Sequence, residues 1–233
     1  MTISIGLGIL LGSIVAQGVF AAAPAASQRW DFEDVTIGKL PDGWKVEGTN
    51  QDGPVATWEV VEDKSAPAGT KVLSLTRSNH TSEGTFNLCW SDKSSFKNGE
   101  LSVRLKANSG KEDQGGGLIW RALDKDNSYI CRANPLENNI RVYYVKGSKR
   151  SMLKSAPVEM ASGQWHTLRI VHEDTHIHCF FNGKLLLEVD DSTFANAGGI
   201  GLWTKADAAT SFDGLEVHTD ASQSVDAPAA PVK

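Results

Sequence analysis

A short stretch, residues 115–144, is dense in side chains that could bind an oxygen-rich ligand. They are Arg121, Arg132, Asn134, Arg141 and Tyr143. Guanidinium groups donate forked hydrogen bonds and stack on planar groups, which suits hydroxyls, carboxylates and the apolar faces of sugar rings. Apolar and polar residues alternate along three runs of this stretch, which predicts three β-strands and places the five side chains on one face of a sheet. An ordinary solvated sheet face is the alternative interpretation.

Three carboxylates lie in loops that border this face. Glu112 and Asp113 belong to the segment GKEDQGGG, and Glu137 belongs to the segment NPLENN. Each is a candidate catalytic residue, because a general base must reach the proton of a bound substrate. Loop carboxylates also commonly cap turns or stay solvated, and this interpretation competes with the catalytic one.

A later segment adds three candidate substrate-binding residues, Trp203, Lys205 and Asp207. Alternation places Trp203 and Lys205 on one face, with Trp203 as a ring that could stack on a sugar. Packing in the core is the alternative for this tryptophan. Trp120, by contrast, is expected to point inward, opposite Arg121.

Metal and thiol chemistry are weakly indicated. His176 and His178 share a strand face, but no carboxylate is placed to complete a metal shell. The three cysteines have no Cys-x-x-Cys spacing and lie in strand-like runs, which is typical of buried free thiols. We expect no metal at the candidate site and no required cofactor.

Strand patterns dominate the remaining chain, and no amphipathic helix competes with them. Turn residues such as those of Asn182-Gly183 separate the runs. The pattern predicts an all-β fold, a two-sheet antiparallel β-sandwich of the jelly-roll type. The runs are 29–32, 57–62, 71–77, 86–90, 100–107, 118–122, 129–134, 140–144, 166–172, 176–181, 184–189, 200–205 and 211–217.

Composition sets the organisation of the 233 residues. Residues 1–26 carry no charge and end in small residues, which predicts a signal peptide, with an uncleaved membrane anchor as the alternative. We expect one sandwich domain at 27–218 and a disordered tail at 219–233. The net charge of −5 offers no footprint for nucleic acid. A secreted or periplasmic monomer with no membrane contact after cleavage is therefore expected.

Two blocks, GQWHTLRIVHEDTHIHCFFNGKLLLEVDD and GGIGLWTKADAATSFDGLEV, resemble the closing strands of concanavalin A-like and laminin-G-like jelly rolls. The block GKEDQGGGLIWRALDKDNSYICRAN is similar to exported bacterial proteins of the family-sixteen glycoside hydrolase type or of the 3-keto-disaccharide hydrolase domain. The resemblance implies a carbohydrate-interacting jelly roll, and it allows a structural calcium ion.

The resemblance leaves the activity open. The strand motif Glu-x-Asp-x-(x)-Glu of family-sixteen hydrolases is absent, and residues 188–191, its nearest match, lack the third glutamate. One hypothesis is a hydrolase or lyase acting on a glycan or modified disaccharide. The alternative is a non-catalytic carbohydrate-binding module that uses the same face. An adhesion domain is a third interpretation, and it would require an exposed apolar patch.

Overall fold

The computed structural model describes residues 26–219, which fold into two antiparallel β-sheets. Among these residues there is no helix, and hence none that could cross a bilayer. The predicted signal peptide and tail lie outside the described residues, apart from Ala26 at the end of the first and Thr219 at the start of the second. The predicted β-sandwich of the jelly-roll type is confirmed.

The first sheet, sheet A, has eight strands in the order β13-β12-β11-β6-β15-β4-β3, with β1 paired to β15. Its strands are β1 (Ala26–Trp30), β3 (Thr57–Glu62), β4 (Lys71–Arg77), β6 (Gly99–Ser109), β11 (Trp165–Glu173), β12 (His176–Phe181), β13 (Lys184–Asp190) and β15 (Ala209–Thr219).

The second sheet, sheet B, has seven strands in the order β10-β9-β8-β7-β14-β5-β2. Its strands are β2 (Lys45–Thr49), β5 (Phe86–Phe96), β7 (Gly116–Asp124), β8 (Asn127–Asn134), β9 (Asn139–Lys146), β10 (Lys149–Pro157) and β14 (Gly198–Lys205). The sequence patterns did not predict β2 and β10, because neither alternates clearly between apolar and polar residues.

The main core lies between the two sheets. In β6, Leu101, Val103 and Leu105 are buried there, while Arg104 and Lys106 between them are only partly buried. Because apolar and polar residues alternate along the strands, each strand has one apolar face, and these faces pack against the other sheet. Trp120 belongs to this core, as expected.

A second apolar cluster lies on the face of sheet B that points away from this core, which we call the concave face. Its members are Phe86, Leu88, Trp90, Ile119, Ala122, Ile130, Tyr143, Val145 and Trp203. All are buried, although they lie on the outside of a two-layer sandwich. The sheet must therefore curl far enough for these side chains to cover one another.

The contacts of Arg150 measure this curl. Arg150 lies on edge strand β10, five strands away from Phe86 on β5, a separation of roughly 24 Å in a flat sheet. Its guanidinium carbon is nevertheless only 5.1 Å from the centre of the Phe86 ring. The opposite edges also meet, since Asn50 Nδ2, just after β2, donates to the carbonyl of Ser148 in the β9–β10 turn at 3.3 Å.

Candidate functional site

The strand register places the candidate arginines in one row across the concave face. Arg132 pairs with Arg141 on β9 and with Gly117 on β7, and Gly117 pairs with Trp203 on β14. Directly paired residues share a face, so Arg132, Arg141 and Trp203 all project from the concave face. Tyr143 lies two residues further along β9 on the same face.

Arg132, Arg141 and Glu137 form an ionic cluster at one end of this row. Glu137 Oε2 lies 3.0 Å from Arg132 Nη2 and 2.6 Å from Arg141 Nη1. Arg132 also donates to Asn139 Oδ1 at 2.9 Å and to the Tyr143 hydroxyl at 3.3 Å. Burial raises the pKa of Glu137, but the Asn139 hydrogen bond and the two arginines outweigh it and hold the pKa below its ordinary value. Glu137 is therefore an ionised carboxylate and a weak base.

Asp113 brings a second carboxylate to the same end of the face. It is 4% exposed, accepts a hydrogen bond from Asn134 Nδ2 at 2.8 Å, and forms an ion pair with Lys205 Nζ at 3.0 Å. Asp113 and Glu137 both raise the pKa of Arg141 through their charges, against the lowering effect of burial. The two carboxylates therefore converge on the arginines, which the sequence alone could not establish.

Asp207 has a different role from the one expected of it. Its carboxylate accepts hydrogen bonds from the backbone N–H groups of Lys111 at 2.7 Å, Glu112 at 3.0 Å and Asp113 at 3.0 Å. Burial raises the pKa of Asp207, but these hydrogen bonds lower it by more, so the net pKa is below its ordinary value and the group stays ionised. Asp207 thus holds the loop that carries Glu112 and Asp113, and its oxygens are occupied by that loop.

Glu112 points from this loop to a histidine that the sequence reasoning missed. His80 Nε2 lies 3.1 Å from Glu112 Oε2, and His80 Nδ1 lies 3.0 Å from Ser78 Oγ. Both side chains of the pair remain partly exposed, at 25% for His80 and 43% for Glu112. A histidine hydrogen-bonded to a carboxylate is an arrangement that can pass a proton between the two groups. Only the fold reveals this pair, because the two residues lie in separate loops.

The structure does not place Arg121 on the concave face, so the predicted set of five is wrong for this residue. A register shift separates the β7–β8 pairs at Trp120 and Asp124, and Arg121 has a φ of 46°. This bulge turns the side chain into the end of the sandwich. Its guanidinium is buried and donates to the carbonyls of Lys97 at 2.9 Å, Phe194 at 2.6 Å and Asp174 at 3.0 Å. Arg121 is occupied by these loops and cannot contact a ligand bound on the concave face.

Trp203 lies on the concave face beside Lys205, but it is only 1% exposed. Phe86 packs against its ring at 5.4 Å between centroids, and Arg150 lies 5.9 Å from the ring centre. Packing, the alternative interpretation, therefore describes Trp203 in this structure. The ring supports the site from below and offers no open face for stacking.

Arg150 is the second residue that the sequence reasoning missed. Its guanidinium lies over the rings of Tyr143, at 4.5 Å, and Phe86, at 5.1 Å. Burial lowers its pKa, and the charge of Arg132 adds to this effect. The signal that could have found it is the turn Gly147-Ser148, which makes β9 and β10 a hairpin and places Arg150 opposite Val145.

Residues 26–219 contain no group of three or more His, Cys, Asp or Glu side chains that could bind a metal ion. His176 and His178 instead pair with carboxylates of the neighbouring strand, Asp190 and Glu188. The cysteines are free and buried.

Comparison with known proteins places this geometry in context. The family model for the 3-keto-alpha-glucoside-1,2-lyase-like domain matches residues 31–218. No curated protein matches the sequence.

Several solved structures share this fold at low sequence identity. The carbohydrate-binding module CBM66 from Bacillus subtilis is 17% identical, with a TM-score of 0.58 over 75% of this chain and 95% of that one. Domain 4 of AbnA, a GH43 extracellular arabinanase from Geobacillus stearothermophilus solved with arabinotriose, is 15% identical, with a TM-score of 0.56 over 87% and 97%. A GH16 protein of the Bacteroides ovatus mixed-linkage glucan locus is 11% identical, with a TM-score of 0.56 over 82% and 99%.

Proposed function

Because the chain belongs to the 3-keto-alpha-glucoside-1,2-lyase-like domain family, we propose that it binds a modified glucoside on the concave face of sheet B and cleaves it there. One observation carries this proposal: Arg132 and Arg141 converge with the carboxylates of Asp113 and Glu137 at one end of that face. Such a group of donors and acceptors suits the hydroxyl and keto oxygens of a sugar.

A keto group at C3 makes the neighbouring C2 proton acidic, so a base can remove it while the C1–oxygen bond breaks. The proton passes from C2 to the base, and the electron pair of the C2–H bond is held as an enolate with negative charge on the keto oxygen. This pair then forms a C1–C2 double bond as the C1–oxygen bond breaks, and the leaving oxygen takes up a proton. Glu112, with His80 at 3.1 Å, is the pair best suited to remove the proton, because Glu137 and Asp113 are both occupied by ion pairs. Arg141, whose side chain is partly exposed, would stabilise the developing charge, and the buried Arg132 would hold Glu137 and Tyr143 in position beside it.

A non-catalytic carbohydrate-binding module is the second candidate. The observation that favours it is that Glu137 and Asp113, the carboxylates beside Arg141, are both neutralised by cations, with the pKa of Glu137 below its ordinary value. Two of the similar structures are a carbohydrate-binding module and a domain solved with arabinotriose. In this case the same arginines would hold a sugar without reacting with it.

We also propose that the domain acts outside the cytoplasm, as a monomer, without contact with a membrane after its leader is removed. The support is the uncharged leader pattern of residues 1–26 and the description of one structural neighbour as extracellular.

Cleavage of 4-nitrophenyl 3-keto-α-glucoside tests the first candidate, because elimination or hydrolysis releases coloured nitrophenol. We expect Glu112→Gln and His80→Gln to lower kcat by ~100-fold or more while the sugar still binds, since removal of a general base has this effect. Glu188→Gln and His178→Gln are matched controls, because they alter a histidine–glutamate pair on sheet A.

The two candidates give different results. Binding without release, lost on Arg141→Ala and retained on Arg169→Ala, would establish the binding module. Arg169 is the matched control because it pairs with Glu100 on sheet A. No binding of the keto-glucoside would contradict the first candidate.

A further inference from the structure

At the end of the concave face where Arg132, Arg141, Arg150 and Lys205 lie, the cations outnumber the carboxylates beside them. Arg132 and Arg141 share one partner, Glu137, and Lys205 pairs with Asp113. Arg150 has no ion pair with any residue of 26–219. In this group four cations therefore meet two carboxylates, on a chain whose net charge is −5, while Lys45 further along the face is paired with Glu47 and Asp92.

Arg150 is also short of hydrogen-bond acceptors. Its Nη1 is buried and has no partner among the described residues, and the same is true of Arg132 Nε and of Trp203 Nε1 beside it. A buried donor without an acceptor destabilises the protein, and a partly buried cation without a counter-charge does so more strongly. Burial, together with the charge of Arg132, lowers the pKa of Arg150, although Tyr143 and the charges of Asp113 and Glu137 at longer range oppose this shift.

Arg169 is an arginine of this protein whose charge is balanced by a carboxylate, and it serves as a comparison for Arg150. It also lies over an aromatic ring, with its guanidinium carbon 3.7 Å from the centre of Phe180. Unlike Arg150, it has a carboxylate partner, Glu100, at 2.6 Å. Stacking on a ring is therefore common to both arginines, and the missing carboxylate distinguishes Arg150.

We propose that the concave face binds a sugar that carries an anionic group, a carboxylate or a sulfate ester, and that Arg150 contacts this group. The inference rests on the proposed carbohydrate site and adds the class of ligand. The anionic oxygens would supply the acceptors that Arg150 lacks, and a guanidinium binds such groups through paired hydrogen bonds. The aromatic rings beneath Arg150 keep water away from the contact, which strengthens it.

Three probes with the same ring test the proposal: methyl α-glucoside, methyl α-glucuronoside and the 6-sulfate of methyl α-glucoside. Titration by calorimetry or ligand-observed NMR should show at least one acidic probe binding about tenfold tighter than the neutral one, the gain expected of one charge-assisted hydrogen bond. The preferred acidic probe then identifies the anionic group as carboxylate or sulfate. This preference should weaken as NaCl rises from about 20 mM to about 300 mM.

Variants separate a contact with the anion from mere packing. Arg150→Gln should lose the preference, Arg150→Lys should keep part of it because the charge remains, and Arg169→Gln should keep it in full. Circular dichroism establishes that each variant is folded, and the salt dependence of the wild type provides a test that needs no variant.

Two results would overturn the proposal: equal affinities for acidic and neutral probes in the wild type, or a preference that survives Arg150→Gln. Cleavage or binding of the neutral 3-keto-glucoside in either case would leave the proposed function standing. If the protein neither binds nor cleaves the keto-glucoside but still binds an acidic probe, the proposed reaction alone would be contradicted.

Discussion

Acid should destabilise this sandwich through one buried histidine. His172 on β11 is 0% exposed, and its Nδ1 accepts a hydrogen bond from Trp120 Nε1 at 2.8 Å. The neutral ring therefore carries its proton on Nε2, and a second proton on Nδ1 would break the bond to Trp120. Burial, and then the positive charge of Arg121, lower the pKa of His172 from 6.5 to about 3, although Asp174 and Asp191 oppose this shift.

The direction of the pH effect follows from these two pKa values. Between about pH 6.5 and about pH 3 the unfolded chain binds a proton at His172 and the folded chain does not, so stability falls as the pH falls through this window. Because one pH unit corresponds to about 1.4 kcal/mol, the loss at this site is roughly 2 kcal/mol between pH 7 and pH 5. Below about pH 3 the total approaches roughly 5 kcal/mol.

Urea unfolding followed by tryptophan fluorescence at a series of pH values measures this loss. His172→Gln keeps an acceptor for Trp120 but cannot titrate, so its stability should fall by roughly 2 kcal/mol less than that of the wild type between pH 7 and pH 5. His178→Gln, a partly exposed position on sheet A, should follow the wild type. Parallel curves for wild type and His172→Gln would refute the reasoning. If His172→Gln does not fold, an NMR titration of the His172 ring in the wild type decides the question, and a pKa near 6.5 would refute it.

Three further results are expected. Asp207→Ala removes three hydrogen bonds from the loop that carries Glu112, so the amide hydrogens of this loop should exchange faster with deuterium, as measured by mass spectrometry. Unchanged exchange would contradict the role of Asp207 in holding the loop. Gly117→Ala places a β-carbon 1.9 Å from a backbone carbonyl and should lower the stability by about 3 kcal/mol or more in urea, whereas Gly84→Ala, with no contact below 3.6 Å, should have little effect. The thiols should not react with Ellman's reagent until the protein is unfolded, and reaction in the native state would contradict their burial. They are Cys89, Cys131 and Cys179.

Alternation along strands accounts for most of what the sequence could predict. It placed Arg132, Arg141 and Tyr143 on one face and Trp120 on the other, because their strands pair in regular register. The same rule was wrong for Arg121, since a bulge adds residues to one strand and breaks the period of two. The sequence around Arg121 contains no pattern that predicts this bulge.

The missed residues have a different cause. Arg150 lies in a strand, Lys149–Pro157, that has almost no apolar alternation because it forms an edge and is mostly exposed. His80 and Glu112 lie in loops whose approach depends on the whole sandwich. Both features depend on contacts between residues that are far apart in sequence, which the strand and turn patterns do not contain.

The curl of sheet B also limits what the concave face can accept. Asn50 contacts Ser148 across the two edges of the sheet, and the aromatic cluster fills the space beneath them. A long polysaccharide lying across the sheet would have to separate these edges. At the charged end Glu137 remains 38% exposed and Arg141 29% exposed, so this part of the face is open to solvent. A short sugar entering at this end, with its ring over the partly exposed Arg141 rather than over the buried Arg132, therefore fits the face better than a polymer does.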